Sequence, residues 1–205
     1  GGSVGYHGIA STYPGTRLIW WAGGNPFLRH QDLIRLRRAW ARPETIVVND
    51  WCWNALAQHA DIVLPCTTPL ERNDITLSPR DPFLIMMDKA LEPAGQARDD
   101  YAIFIGIAQH LGIEEKYTEG RSAEEWIRWL YEASRQSSAE ANVDLPPFNE
   151  LRAKGWHKLP EPKTPHIMLE NFRADPETHK LHTPSGKIEI YSERIASFGY
   201  NDCPG

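Results

Sequence analysis

The sequence predicts an α/β fold: a parallel sheet flanked by helices. Three observations carry this. Short apolar or β-branched runs alternate with helical periodicity between residues 17 and 64. Each run stops at a loop-forming signal, Gly23-Gly24, Asn49-Asp50 or Pro65. Strand, helix, strand, helix, strand within about fifty residues implies right-handed crossovers and hence parallel pairing.

The elements follow in order. Residues 17–22 (RLIWWA) form an apolar run suited to a strand buried on both faces. Trp20 and Trp21 are adjacent, so they point to opposite faces, and both read as core. Residues 31–40 read as a helix with Leu33, Leu36 and Trp40 on one side, ended by Pro43. Residues 45–48 (TIVV) are a second, β-branched strand. A short helix is expected over 54–59 and a third strand over 62–64. Residues 83–87 offer a further strand. Residues 99–111 read as a helix with Phe104, Ile105, Ala108 and Leu111 on its core face. Another helix spans 122–134. Ser122 and Glu125 make its capping box, and Trp126, Ile127, Leu130 and Tyr131 its apolar stripe. From Ala141 onward, Pro146, Pro147, Pro160, Pro162 and Pro165 break long helices, so a Pro-rich extended connection is expected. Near the end, "TPSGKIEIYSE" predicts a turn over 183–186, then a strand with Ile188 and Ile190 on one face.

Composition excludes several function classes. A net charge of -5 gives no footprint for nucleic acid or for an acidic membrane surface. Apolar stretches such as 102–105 are far too short to span a bilayer. Cys52, Cys66 and Cys203 form no CxxC pair, which argues against a disulfide framework or a structural zinc site and for reduced thiols. His179 and His182 are three apart but lack partners for a metal site, and no Ser-His-Asp order is visible. The ends, "GGSVGYHG" and "NDCPG", look like neither terminus of a natural chain, so a segment of a longer polypeptide is expected.

Several residues collect at the carboxyl edge of the predicted sheet, where open α/β sheets bind ligands. Gly23-Gly24-Asn25-Pro26 follows the first strand. It is not G-x-G-x-x-G, and it reads equally as a tight turn or as a loop that brings backbone against a phosphate. Asp50 ends the second strand, suited either to ribose hydroxyls or to capping the next short helix. After the third strand, "PCTTPLERND" crowds Thr67, Thr68, Glu71, Arg72 and Asp74 into one loop. Arg72 suits a pyrophosphate through its planar fork, or an ion pair with Glu71 or Asp74. Asp100 reads as the N-cap of its helix.

Taken together, "WAGGNPF", "HQDL", "PETIVVND", "HADIVLP", "LERND", "DDYAIF", "AQHLG", "TPSGKIEIYSE" and "FGYNDCPG" resemble the molybdopterin oxidoreductases. The similarity is greatest to the dimethyl sulfoxide reductase group, in its biotin sulfoxide and trimethylamine N-oxide reductase branch, and runs through almost the whole chain. It implies a Rossmann-like domain over 1–140 that binds molybdopterin guanine dinucleotide. Residues 141–205 would be an extended tail leading toward a missing final domain.

The implied cofactor is bis(molybdopterin guanine dinucleotide) molybdenum, held here by one guanosine and pyrophosphate end. By resemblance, Gly24 and Asn25 would touch the nucleotide. Arg29 stands where the family often has a histidine, within reach of a phosphate. Asn49 and Asp50 would meet the ribose, Cys66 would sit by the guanine through its backbone, and Arg72 would lie near the guanosine. Asp100 would accept hydrogen bonds from the guanine N1 and N2 donors, which replaces its reading as a cap. The resemblance places no catalytic residue and no metal ligand in this segment; in the family a serine from an earlier domain ligates the metal. Expected partners are the remaining domains of the parent enzyme and a small-molecule oxide. Two alternatives stand beside this: a non-catalytic nucleotide-binding or interaction domain of the same fold, and a family member acting on formate or nitrate.

Overall fold

The computed structural model describes residues 3–6, 9–76, 78, 81–161, 165 and 167–201. Pro162 and Cys203 lie outside the described residues. The chain divides into two compact units, residues 17–161 and residues 1–16 with 162–205. The smaller unit opens with an antiparallel pair, β1 (Ser3–Tyr6) and β2 (Ile9–Thr12).

The larger unit is mixed α/β. Its first layer is a parallel sheet of β3 (Leu18–Ala22), β4 (Thr45–Asp50) and β5 (Ile62–Pro65), with β4 central. Trp20 pairs with Val47, Ala22 with Asn49 and Asp50 with Pro65, so all three strands end at one edge. On one face, Ile46 and Val48 pack with Phe27, Trp40 and Leu56. Those partners come from α1 (Pro26–Arg29), α2 (Leu33–Trp40) and the turn before a single 3-10 turn at Ala57–His59. The Trp40 indole donates to the His59 carbonyl at 2.8 Å, and Phe27 stacks on the His59 ring. On the other face, Trp20 meets Phe104 of α3 (Asp100–His110) with ring centroids 5.6 Å apart. The two tryptophans therefore part to opposite faces, as strand geometry requires.

Some helix faces differ from expectation. Helix α2 begins at Leu33, because the Asp32 side chain accepts from the Arg35 amide and caps it. Leu33 is then exposed while Trp40 is buried. In α3 only Ala108 is fully buried, and Leu111 faces solvent.

A second layer follows. β6 (Asp74–Thr76), β7 (Phe83–Met87) and β8 (Trp156–Lys158) form an antiparallel sheet in that order. The strand expected at 83–87 thus belongs to a separate sheet. Leu84 and Met86 point inward while Phe83 and Ile85 are exposed, the alternation of a sheet with one wet face. After α4 (Glu114–Thr118), helix α5 (Ala123–Glu140) runs six residues past the expected end, entered through the Ser122–Glu125 capping box. α6 (Phe148–Lys154) and β8 occupy a stretch expected to be extended. Pro147 is the N-cap of α6, so here the prolines start a helix instead of breaking one. Phe148 and Leu151 join Leu84, Met86 and Tyr131 in the second core. Tyr131 locks it by donating its hydroxyl to the Pro146 carbonyl at 2.6 Å.

In the tail, the turn at 183–186 closes with the Gly186 amide on the Thr183 carbonyl. The strand expected after it does not form: residues 188–192 pair with no strand among the described residues, and Ile190 is 99% exposed. A strand needs a partner for its backbone groups, which periodicity alone does not supply. Two short helices, Glu170–Ala174 and Glu193–Ala196, complete this unit.

Leu151 is fully buried in the second core. Leu151→Ala is expected to cost about 2–5 kcal/mol in chemical denaturation of the parent protein. A loss below about 1 kcal/mol would show that α6 is not integral to the fold.

Candidate functional site

The carboxyl edge of the parallel sheet gathers the expected site residues. After β3 the chain turns through Gly23 and Gly24, at φ +82° and +71°. A Cβ at either would meet nothing within 4 Å, so the left-handed backbone, and not crowding, calls for glycine. The Trp21 indole donates to the Gly23 carbonyl at 2.9 Å and holds the turn. The Asn25 side chain accepts from the Phe27 amide and caps α1, and Arg29 is exposed in its last turn. The tight-turn reading of this stretch is therefore realised locally.

Asn49, at the end of β4, is 4% exposed. Its Oδ1 accepts from Trp20 Nε1 at 3.0 Å, and its Nδ2 donates to Asp100 Oδ1 at 2.8 Å. Both ends of the amide are thus occupied inside the protein. Asp50 organises its own loop: its Oδ1 accepts from the Trp51 and Cys52 amides and its Oδ2 from Asn54 Nδ2. It does not cap the following turn; Asn54 Oδ1 does that, accepting from the amides of Leu56 and Ala57. The chain then returns beside β5. Cys66 bridges Arg98 in parallel, and the Thr67 amide donates to the Arg98 carbonyl at 3.1 Å. That pairing delivers Asp99 and Asp100 to the sheet edge. Asp99 caps α3, accepting from the Ala102 amide at 2.7 Å, and leaves Asp100 exposed in the first turn. A carboxylate is favoured there by the unpaired helix amides.

The residues sense one another. Burial first, then the Asp100 and Asp50 charges, push the Cys66 thiol up from 9.0 to about 11. Burial also raises the Tyr117 phenol, helped by Tyr101 and Asp100.

A cleft of about 890 Å³ opens between the loop after β5, the start of α3 and α5. Arg72 and Asp100 line it; Gly24, Asn25, Arg29, Asn49, Asp50 and Cys66 do not. Arg72 donates to the Thr67 carbonyl at 3.2 Å and to Asp74 Oδ2 at 3.1 Å, so it is ion-paired with Asp74. Glu71 is instead spent on the capping box with Thr68 and on the Ala94 amide. One wall is aromatic. Tyr101 and Tyr117 stack 5.8 Å apart, and Trp126 donates to the Tyr101 hydroxyl. On the same lining, Thr67 is buried and its hydroxyl oxygen has no hydrogen-bond partner among the described residues. Leaving such a hydroxyl unpaired costs about 1–3 kcal/mol.

Residues 5–110, just over half the chain, match the model of Molybdopterin oxidoreductase. The chain belongs to the molybdopterin oxidoreductase family. It is 42% identical to the dimethyl sulfoxide/trimethylamine N-oxide reductase of Cereibacter sphaeroides, over all of this chain and 25% of that protein. It is 44% identical to the biotin sulfoxide reductase of the same organism, over 99% of this chain and 27% of that protein. The chain thus spans about a quarter of the length of these curated relatives. Among solved structures it is similar to the acetylene hydratase from Pelobacter acetylenicus, with TM-score 0.46 and 26% identity over 82% of this chain and 20% of that one.

Within this family member, Trp20, Asn54, Arg98 and the tyrosine pair carry contacts at this edge that the sequence pattern did not single out. Trp20 is hidden because a tryptophan in an apolar run reads as core. The tandem Asp99-Asp100 was a usable signal, since one acid suffices for the cap and the second is left free. Among the described residues, no group of three or more His, Cys, Asp or Glu side chains is arranged to hold a metal ion. No described helix is long and apolar enough to cross a membrane.

Cys66 offers a direct check on this electrostatic environment. Its alkylation, followed by mass spectrometry of the Cys66 peptide, is expected to rise with a midpoint near pH 11. The folded form holds this proton more tightly than the unfolded chain. The associated stability is complete below pH 9.0 and is lost as pH rises through about 11. A midpoint at or below pH 9.0 would remove the claim that burial and the two carboxylates act on this thiol.

Proposed function

We propose that this chain is the Rossmann-like cofactor-binding segment of a molybdenum oxidoreductase that reduces S-oxides or N-oxides. It grips the guanosine and pyrophosphate end of one molybdopterin guanine dinucleotide. The observation that carries this reading is Asp100. It is an exposed carboxylate anchored through one oxygen, on the wall of a cleft of about 890 Å³. A carboxylate offers only acceptors, which suits the adjacent N1–H and N2–H donors of guanine and opposes the N1 acceptor of adenine. The donor set fits the rest of the group. The Tyr101–Tyr117 wall gives a planar base a stacking surface. The orphan Thr67 hydroxyl supplies a further polar contact. Arg98, on the same lining and without an ion pair among the described residues, together with Arg72, suits phosphate oxygens.

The relatives' names point to the oxide substrates: dimethyl sulfoxide, biotin sulfoxide and trimethylamine N-oxide. When bound, the molybdenum cofactor supplies the oxygen-atom transfer chemistry. This chain supplies binding and orientation. Its contribution is to select the base, neutralise phosphate charge and fix the distal end of a long cofactor, and the remaining domains complete the enzyme.

The parent enzyme carrying Asp100→Ala tests this. Bound nucleotide is read as GMP released by acid hydrolysis, and molybdenum by elemental analysis. Loss of hydrogen bonds to a charged group corresponds to about tenfold weaker retention or more, so both signals are expected to fall. GMP and molybdenum at wild-type levels would exclude Asp100 as the guanine reader.

A further inference from the structure

We infer that Trp20 and Asn49 are positioning residues that fix the Asp100 carboxylate for base recognition, an inference that rests on the guanine-reading role of Asp100. Three elements meet here: Trp20 on β3, Asn49 on β4 and Asp100 at the start of α3. Trp20 Nε1 donates to Asn49 Oδ1 at 3.0 Å, and Asn49 Nδ2 donates to Asp100 Oδ1 at 2.8 Å.

The orientation of this amide is set by chemistry. An indole N–H can only donate, and an ionised carboxylate can only accept. Flipping Asn49 would face donor to donor and acceptor to acceptor, losing both bonds. At 4% exposure the flipped amide would find little solvent to bond to instead. The amide is therefore held one way round, with its N–H end on Asp100.

The consequence falls on Asp100. Its side chain is exposed and, without help, would rotate among several orientations. Asn49 engages Oδ1 alone, and Oδ2 makes no hydrogen bond to the described side chains or backbone. One oxygen is thus tethered, the rotation of the carboxylate is restricted, and the second oxygen stays open. Two neighbouring donors on a base edge require that state: a coplanar pair of acceptors held still before the ligand arrives. Asn49 therefore acts on the base through Asp100, where the family resemblance would have it touch ribose. Trp20 does more than fill the core: its ring packs on Phe104, and its N–H sets the Asn49 amide.

A double-mutant cycle on the loaded parent enzyme tests this. The readout is the rate at which guanine nucleotide cofactor leaves the holoenzyme in dilute urea, measured as GMP in the filtrate after acid hydrolysis. Asn49→Ala is expected to speed release about tenfold, and Asp100→Ala by as much or more. The double variant is expected to release no faster than Asp100→Ala alone, because Asn49 acts through Asp100. Release rates that multiply in the double variant overturn the inference. So does faster release from Asp100→Ala beside a wild-type rate from Asn49→Ala. A wild-type rate from Asp100→Ala itself overturns the guanine-reading role as well. Trp20→Phe keeps a ring against Phe104 but deletes the donor. It is expected to speed release about threefold and, because Asn49 Oδ1 loses its donor, to lower the midpoint of thermal unfolding; the cycle with Asp100→Ala separates that loss of stability from positioning. If Asn49→Ala does not fold, Trp20→Phe combined with Asp100→Ala makes the same comparison, and multiplied rates again overturn it.

Discussion

The larger unit depends on the central strand β4. It is hydrogen-bonded on both sides, by β3 and by β5, and its residues are buried on both faces. Alternation along it divides the work. Ile46 and Val48 feed the core beneath α1 and α2, while Val47 and Asn49 face the side covered by α3. Three of these four are apolar, and their burial is the ordinary driving force. Asn49 is the exception. A buried amide is tolerable only if both its ends are satisfied, so β4 obliges β3 to offer Trp20 and α3 to offer Asp100.

That obligation explains the course of the chain after β5. Residues 97–98 run beside the end of β5 through the Cys66–Arg98 bridge, and this fixes where α3 starts. Asp99 then caps the helix, which frees Asp100 to meet Asn49. The second core supports the far wall of the cleft. Tyr131, Phe148 and Leu151 lock α5 against β7, and the outer face of α5 carries Trp126 toward Tyr101. Glu124, in the first turn of α5, pairs with Arg152 of α6 and accepts from Asn73, near the start of β6. The cleft is thus bounded by elements held from two independent cores.

Local signals in the sequence proved readable where one residue type has one strong physical use. The β-branched run at 45–48, the apolar run around Trp20 and the Ser122–Glu125 pair each led to the element that formed. Gly23 and Gly24 led to a left-handed turn. What escaped was set by partners distant in sequence. Nothing in Phe83–Met87 states whether its neighbour is parallel or antiparallel; that depends on β6 and β8, the latter some seventy residues away. Residues 188–192 have the alternation of a strand but gain no partner among the described residues. The prolines at 146 and 147 suggest extension until Phe148 and Leu151 are seen to bury completely. That polar residues follow the parallel strands was legible, yet which of them line the cleft was not: of the expected residues only Arg72 and Asp100 do. Asn49 and Asp50 are adjacent in sequence, but Asn49 turns to Asp100 and Asp50 to its own loop.

This division bears on what kind of site the edge can be. Most of its polar groups already have partners: Asn25 caps a helix, Asp50 binds three donors, Glu71 closes a capping box, and Arg72 pairs with Asp74. The Cys66 thiol beside them is pushed up to about 11 by burial and by the Asp100 and Asp50 charges, and so stays protonated at neutral pH. The open valences that remain are few and directional: Oδ2 of Asp100 and the second lone pair of its Oδ1, the Thr67 hydroxyl and the Arg98 guanidinium. Groups locked by their neighbours lose little entropy when a ligand arrives, so a small number of free contacts suffices for tight, selective holding. The rigidity that β4 imposes through Asn49 is therefore the property on which the proposed holding role rests.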